Sequence, residues 1–222
     1  MYRIVSPSSE PSVIGVNNGV CQVELNEKKS FVNKEEKKYY ESFFNGNFNS
    51  FILDSYKDID PTRISELAYT PLKKAKETDF VHFSPNEMGL DFLVSQKVVN
   101  IIECFSICDY IKISSRIEGF KNQYYTIGFP IITEDVINYP KSRFYHLIKE
   151  EKYTNLSKED YKKISGALVR TLSLKLINSD KLKRDIINLQ GQGMFFSTSL
   201  ISKLKEENVS SFDVGNTILE IN

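Results

Sequence analysis

The 222-residue chain has no tryptophan, two histidines and three cysteines, and none of its apolar runs is long. The odd, sparse set of cysteines (Cys21, Cys104 and Cys108) does not indicate a disulfide framework. No run approaches the roughly 20 apolar residues that a membrane-spanning helix needs. The first residues also lack the apolar segment of a signal peptide. We therefore expect a cytoplasmic protein with no membrane partner.

Net charge is absent too, because 29 basic residues balance 29 acidic ones. Proteins dedicated to nucleic acid usually carry a basic excess, so the balance argues against that partner. Locally the charge is uneven: residues 149–185 contain ten basic and six acidic side chains, and residues 54–91 contain eight acidic and five basic ones. Two solvated faces are the simplest interpretation. The alternative is an acidic patch that docks a basic protein, such as a toxin nuclease.

The sequence contains no recognisable catalytic or cofactor motif. The nucleophile motif G-x-S-x-G is absent, and Gly191-Gln192-Gly193 is too short for a phosphate loop and precedes a strand. Cys104 and Cys108 are four residues apart, but zinc needs further ligands at suitable spacings, so core packing is the better interpretation. His82 lies in an apolar stretch, which favours a structural histidine. We expect no catalytic residue, metal or cofactor.

One short unit is present twice. An apolar strand, a serine and an amphipathic helix follow one another at residues 92–105 and again at 195–207. Ser95 and Ser197 hold the position of a helix N-cap, where a serine hydroxyl can accept a hydrogen bond from a first-turn N–H. Because the sequence offers no partner base, caps are a better interpretation of these serines than nucleophiles.

Two further helices are predicted from their first residues. Asn33 and Glu36 have the capping-box spacing, and the aromatic residues between 39 and 44 would form the buried face of the helix that follows. Ser157 and Asp160 have the same spacing and would start a helix that runs to about residue 168.

The strands are predicted mostly in hairpin pairs. The clearest pair is 110–117 with 124–129, and a second pair, 13–16 with 20–25, flanks the turn Asn17-Asn18-Gly19. Because long alternation of helices and strands is absent, we expect an α+β fold with a mostly antiparallel or mixed sheet and a few flanking helices.

Shorter elements and a domain boundary complete the prediction. Strands are predicted at 51–53 and 135–139, and a short helix at 64–69. Residues 1–79 are expected to form a strand-rich N-terminal subdomain and residues 80–222 an α+β domain, unless the two are continuous.

Five segments between residues 80 and 214 occur in a characteristic order. An apolar strand ending in serine precedes a tyrosine-rich strand and a short Asn-aromatic segment, and a second strand–Ser–helix unit precedes a final aromatic-bearing strand. The segments are Leu90–Lys97, Tyr124–Phe129, Val136–Phe144, Met194–Leu200 and Val209–Phe212. In this order they resemble a group of bacterial immunity proteins from polymorphic toxin systems.

The resemblance implies a protein that binds a cognate toxin, encoded by an adjacent gene, and neutralises it by occlusion without catalysis. Recognition residues lie in loops more often than in core strands. We therefore predict toxin contacts at Asp54, Tyr56, Asp58 and Asp60, which belong to a turn-rich segment.

Two other functions stay open at this point. One is an enzyme of an unrecognised class that uses His82 or His146 with nearby carboxylates. The other is a nucleic-acid-associated regulator that uses the basic stretch 149–184.

Overall fold

The computed structural model describes residues 1–17, 21–44, 48–53, 55–164 and 169–221, without the side chains of residues 57 and 181. The strands are β1 (Tyr2–Pro7), β2 (Val23–Leu25), β3 (Leu67–Pro71), β4 (Phe80–Val81), β5 (Phe83–Ser84), β6 (Phe92–Ser95), β7 (Ile111–Ile117), β8 (Tyr124–Gly128), β9 (Ile131–Ile132), β10 (Arg143–His146), β11 (Glu151–Thr154), β12 (Val169–Leu176), β13 (Ile186–Leu189), β14 (Gly193–Ser197) and β15 (Phe212–Ile221). The α-helices are α1 (Pro11–Ile14), α2 (Glu27–Ser30), α3 (Lys34–Phe44), α4 (Gln96–Ile102), α5 (Lys158–Ile164) and α6 (Thr198–Glu206).

The strands form two mixed sheets. The first sheet has the order β4-β6-β8-β7-β3-β2-β5, and the second has the order β11-β10-β12-β15-β1-β14-β13-β9. The predicted α+β fold is therefore confirmed. No helix in the described ranges is long and apolar enough to cross a membrane.

The two sheets repeat one arrangement. The order β4-β6-β8-β7-β3-β2 of the first sheet matches β13-β14-β1-β15-β12-β10 of the second. Strand directions match as well: in both series the first three pairs are antiparallel, the fourth is parallel and the fifth is antiparallel. Because β1 holds the place that β8 has in the first sheet, the first strand of the chain completes the second half. The fold is an internal duplication whose second half is circularly permuted.

The registers of the two strand–Ser–helix units support this match. Ser95 pairs with Tyr124, the first residue of β8, and Ser197 pairs with Tyr2, the first residue of β1. In each unit the residue just before the serine pairs with the first residue of the strand on the other side in the sheet, which is β4 in the first half and β13 in the second. The unit found twice in the sequence is therefore the centre of a larger structural repeat.

Each serine of the repeated unit donates its hydroxyl to an aspartate of its own half. Ser95 Oγ lies 2.7 Å from Asp79 Oδ1, and Ser197 Oγ lies 2.6 Å from Asp185 Oδ1. Ser197 Oγ also accepts a hydrogen bond from Leu200 N and caps α6. Ser95 holds the N-cap position of α4 but makes no side-chain cap bond. The predicted side-chain cap at Ser95 is therefore wrong: its hydroxyl bonds Asp79 but, unlike that of Ser197, accepts no hydrogen bond from an N–H of its helix.

The protein has three apolar cores, which lie on the faces of the two sheets. The first lies between α3 and the first sheet, and the third lies between the second sheet and the half-buried Tyr161 of α5. The middle core is shared by both halves, because α4 and α6 pack there between the two sheets. Its members include Phe92, Val98, Ile102, Phe196, Leu200 and Leu204.

Several predicted elements differ in the structure. Residues 11–14 form α1 rather than a strand, and Gly15 ends this helix in the left-handed region with φ 82°. The predicted turn residues Asn18 and Gly19 lie outside the described ranges. Residues 48–51 form a 3₁₀ turn, residues 67–71 form β3, and residues 134–136 form another 3₁₀ turn.

The assignment of strands to the two sheets does not change at residue 79, the predicted domain boundary. Strands β2 and β3 lie in the same sheet as β4 to β8, whereas β1 lies in the second sheet. The separate subdomain at residues 1–79 stays a prediction. Helix α4 ends at Ile102, before Cys104, which the predicted unit at 92–105 includes. Cys104 is exposed, so its predicted core packing is wrong, whereas Cys108 packs half-buried against the middle core.

Candidate functional site: a groove beside helix α3

The start of α3 is fixed by a reciprocal pair of hydrogen bonds. Asn33 Oδ1 accepts from Glu36 N at 2.8 Å, and Glu36 Oε2 accepts from Val32 N at 2.7 Å. The first bond is the side-chain cap that the Asn33–Glu36 spacing predicts, whereas the second reaches the N–H of Val32 instead of that of Asn33 itself. The other oxygen of the buried Glu36 carboxylate accepts from Ser65 N. Glu36 therefore ties α3 to the segment that forms the opposite wall of the groove.

The opposite wall is a 3₁₀ turn, Pro61–Arg63. Asp60 is its N-cap: Oδ1 accepts from Thr62 N at 3.0 Å and from Thr62 Oγ1 at 2.6 Å. These hydrogen bonds lower the pKa of Asp60 below its usual range, so the carboxylate is charged at neutral pH.

Tyr39 connects the two walls at the bottom of the groove. Its hydroxyl accepts a hydrogen bond from Asp60 N at 2.8 Å. The guanidinium of Arg63 lies 3.7 Å from the centre of the Tyr39 ring, which is cation–π geometry. Tyr39 itself is buried, and its ring packs against Phe43 one turn further along α3.

These walls enclose an open recess of about 590 Å³, which we call the α3 groove. Its lining residues are Glu35, Lys38, Tyr39, Ser42, Phe43, Asp58, Asp60 and Arg63. A smaller recess of about 230 Å³ continues toward the start of α3 and shares Glu35, Tyr39 and Arg63 with it. Three carboxylates and two cations line the groove, and none of them forms an ion pair within the described residues.

The structure separates the four predicted contact residues. Asp58 and Asp60 line the α3 groove. Asp54 lies outside the described ranges. Tyr56 is buried in the first core: its hydroxyl donates to Gly128 O and accepts from Ile111 N at 2.7 Å. The predicted contact at Tyr56 is therefore corrected, because a partner cannot reach this side chain in the folded protein.

Sequence reasoning missed the aromatic and cationic parts of the groove. Tyr39 and Phe43 were predicted on the buried face of α3, and both also line the recess. Arg63 carried no signal, because its place over the Tyr39 ring depends on a contact between residues 24 positions apart. The remaining predicted cap, Ser157, accepts from Asp160 N at 3.0 Å and directly precedes α5 in the other half.

The two histidines have different surroundings. His82 is half-buried between β4 and β5, and its buried Nδ1 has no hydrogen-bond partner among the residues that the structure describes. Burial lowers the pKa of His82, which favours the neutral ring. His146 ends β10, and its Nδ1 accepts from Lys149 N at 3.4 Å.

His82 shares a cleft of about 190 Å³ with Asp91. The Asp91 carboxylate accepts from Phe129 N at 2.6 Å and from Asn188 Nδ2 at 3.2 Å. Burial raises the pKa of Asp91 to about 7 against the opposing effect of these hydrogen bonds. Because Phe129 follows β8 and Asn188 lies in β13, Asp91 is a polar link between the two halves.

Within the described ranges, no group of three or more His, Cys, Asp or Glu side chains is placed to hold a metal ion. No known protein-family model and no curated protein matches the chain.

Proposed function

We propose that the protein is an immunity protein that binds a cognate bacterial toxin at the α3 groove and neutralises it by occlusion. The observation that carries the proposal is the groove itself, where Asp58 and Asp60 meet the aromatic side chains Tyr39 and Phe43 in an open recess. Aromatic side chains beside a charged rim are a common composition of protein–protein interfaces. The order of the segments that resemble immunity proteins supports the same function.

The groove is rigid before any partner binds. Glu36 joins α3 to Ser65, and Tyr39 joins α3 to Asp60, so both walls are fixed by hydrogen bonds to buried side chains. A preorganised surface loses little conformational entropy on association. Such a surface suits an inhibitor that must bind its toxin tightly.

The charge of the groove indicates the kind of toxin. Glu35, Asp58 and Asp60 contribute three carboxylates, and one of the two cations, Arg63, is held over the Tyr39 ring. Three carboxylates against two cations give the lining a net charge of −1. A negative surface favours association with a basic one, because opposite potentials speed encounter. We propose a toxin domain with a basic active site, as a nuclease has.

An enzyme is the second candidate function, and one observation favours it: His82 and Asp91 line the same cleft. Catalytic inactivation of the toxin by this pair predicts that His82→Gln loses protection against the toxin. Occlusion at the α3 groove predicts that His82→Gln protects as well as the wild-type protein does.

Co-expression with the product of the adjacent gene tests the proposed function. The test variant combines Asp58→Lys with Asp60→Asn, since asparagine keeps the N-cap acceptor while removing the charge. The matched control carries Glu159→Lys and Asp213→Asn, which make the same change in net charge at exposed positions outside the groove.

The adjacent product should stop growth alone, and both the wild-type protein and the control should restore growth. The groove variant should protect poorly. A harmless adjacent product, or one that remains lethal beside the wild-type protein, would contradict the proposed function. Full protection by the groove variant would contradict the placement of the binding site.

A further inference from the structure

A second charged surface lies on the outer strands of the second sheet. Tyr145 of β10 pairs with Lys152 of β11 on one side and with Arg170 of β12 on the other. Side chains of directly paired residues project from the same face of a sheet. Arg143 precedes Tyr145 by two residues in β10 and therefore shares that face. We call Arg143, Tyr145, Lys152 and Arg170 the basic sheet face.

The opposite face of these strands is turned to the protein interior. Phe144 is fully buried in the third core, and Tyr153 and Val169 pack against that core. Arg143, Lys152 and Arg170, in contrast, are exposed, and Tyr145 is half-buried between them. Because side chains alternate between the two faces along β10, the Tyr145 ring lies on the solvent side with cationic side chains around it.

The cations of the basic sheet face differ from other cations of the basic stretch in their ion pairs. Arg143, Lys152 and Arg170 form no ion pair within the described part of the chain. Other lysines of the basic stretch do form ion pairs, and these are Lys158 with Glu134 and Asp135, Lys162 with Glu134, Lys163 with Asp160, Lys175 with Glu220 and Lys183 with Asp180. The positive charges of Arg143, Lys152 and Arg170 are therefore free to contact a partner.

We propose that the basic sheet face binds single-stranded nucleic acid. Arg143, Lys152 and Arg170 would contact phosphates, and Tyr145 would stack on a base. Neighbouring strands are about 4.8 Å apart, so Lys152 and Arg170 flank the ring on two sides with backbones about 10 Å from each other. Proteins that bind single strands combine such cations with an aromatic stacking platform on an open sheet.

An acidic protein segment fits this surface less well. It would pair with the cations but would leave the Tyr145 ring without a specific contact. Nucleic acid uses both the charge and the ring. The neutral total charge of the chain does not bear on this surface, because the acidic residues that balance it lie elsewhere.

Fluorescence anisotropy with labelled oligouridylate RNA and oligothymidylate DNA tests the inference on the full chain. Binding should weaken as salt rises from 50 to 200 mM, with a slope of log K against log salt near −2 for three phosphate contacts on a single strand. Tighter binding of the RNA would assign contacts to the 2′-hydroxyl, and equal binding would assign them to phosphate and base alone.

Variants locate the contacts. Arg170→Gln should make the salt slope less negative by about 0.7, and Tyr145→Ala should weaken binding at least five-fold while Tyr145→Phe keeps it. Lys163→Gln is the matched control, because it removes the same charge from α5 and should leave the slope unchanged. Circular dichroism checks that each variant is folded.

Three outcomes would overturn the inference. They are no anisotropy change at about 100 µM protein and 50 mM salt, the weak end of non-specific binding; equal binding by wild type and Tyr145→Ala; and displacement of the oligonucleotide by polyglutamate at the same charge concentration. The last would assign the face to an acidic protein. Protection against the toxin is measured separately and does not depend on these results.

Discussion

The carboxylate of Asp79 is hydrogen-bonded to Ser210, which follows it by 131 residues: Oδ2 accepts from the N–H and from the hydroxyl of Ser210, each at 2.9 Å. Asp185 makes the reciprocal contact, since its Oδ2 accepts from Ser106 N at 2.9 Å. Each aspartate thus binds the serine of its own repeated unit and a serine that follows the helix of the other unit. Equivalent side chains thus form hydrogen bonds between the two halves, which we call the Asp79/Asp185 contacts.

Replacing either aspartate should remove its contacts between the halves and destabilise the protein. Asp79→Ala leaves the hydroxyl of Ser95 and the N–H of Ser210 without their charged acceptor, which should lower the free energy of unfolding by about 2–3 kcal/mol. Asp185→Ala should have a similar effect. Urea unfolding measures both, with the exposed Asp213→Ala as a control expected within about 0.5 kcal/mol of wild type. A loss of stability no larger than that of the control would contradict a stabilising role for these contacts.

The duplication predicts which rearrangement of the chain is tolerated. In the structure Tyr2 pairs with Leu219, so the end of β15 lies beside the start of β1. A permutant that begins at Glu10 and carries residues 1–9 after residue 222, joined by a short glycine-rich linker, gives the second half the strand order of the first. We expect it to fold with a cooperative thermal transition.

Deletion of residues 1–9 is the matched control for the permutant. It removes β1 from the middle of the second sheet and leaves β14 and β15 without the strand between them. This variant should show no cooperative unfolding. A permutant that fails to fold, or a deletion that melts like wild type, would contradict the role of β1 in the second half.

Asp91 should make stability depend on pH. Its pKa is raised to about 7 by burial, so between about pH 4 and 7 the folded state holds a proton that the unfolded state has released. Stability should therefore fall as pH rises across this window, by up to a few kcal/mol, and then level off. Asp91→Asn, whose side chain cannot titrate, should lose this part of the slope in urea unfolding from pH 4 to 8. Equal slopes for the two proteins would contradict a protonated Asp91.

Tyr56→Phe separates a core role from a contact role. The variant keeps the ring but leaves Gly128 O and Ile111 N without their partner, which should cost about 1–3 kcal/mol of stability. Toxin affinity at a temperature where the variant is folded should not change. If affinity falls while stability holds, Tyr56 belongs to the binding surface after all.

Local patterns predicted the parts of this fold that local chemistry decides. The spacing of Asn33 and Glu36 was sufficient for the cap of α3, since donor and acceptor lie within one turn. The strand–Ser–helix units at Ser95 and Ser197 were found because each is a short continuous segment. The order of these segments could also be compared with a family without any knowledge of their packing.

Distant partners decided the rest. The hydroxyl of Ser95 leaves its own helix for Asp79, 16 residues away, and nothing near Ser95 in the sequence indicates this. Strand β1 is identified by its pairing with β14 and β15 near the other end of the chain. Residues 13–16 are too few to show a hydrophobic period of either a strand or a helix. Pro11 in the first turn favours the helix that the structure shows. The α3 groove combines walls that no single motif spans.

The most direct test of the central claim is a titration of the purified toxin with the purified protein, followed by the toxin's own activity. Occlusion predicts that activity falls in proportion to the added protein and vanishes at one equivalent, independent of incubation time once the complex has formed. Asp58→Lys with Asp60→Asn should shift the curve to higher concentration. Loss of toxin activity at a small fraction of one equivalent, growing with time, would contradict occlusion and indicate catalysis; full toxin activity at excess protein would contradict immunity itself.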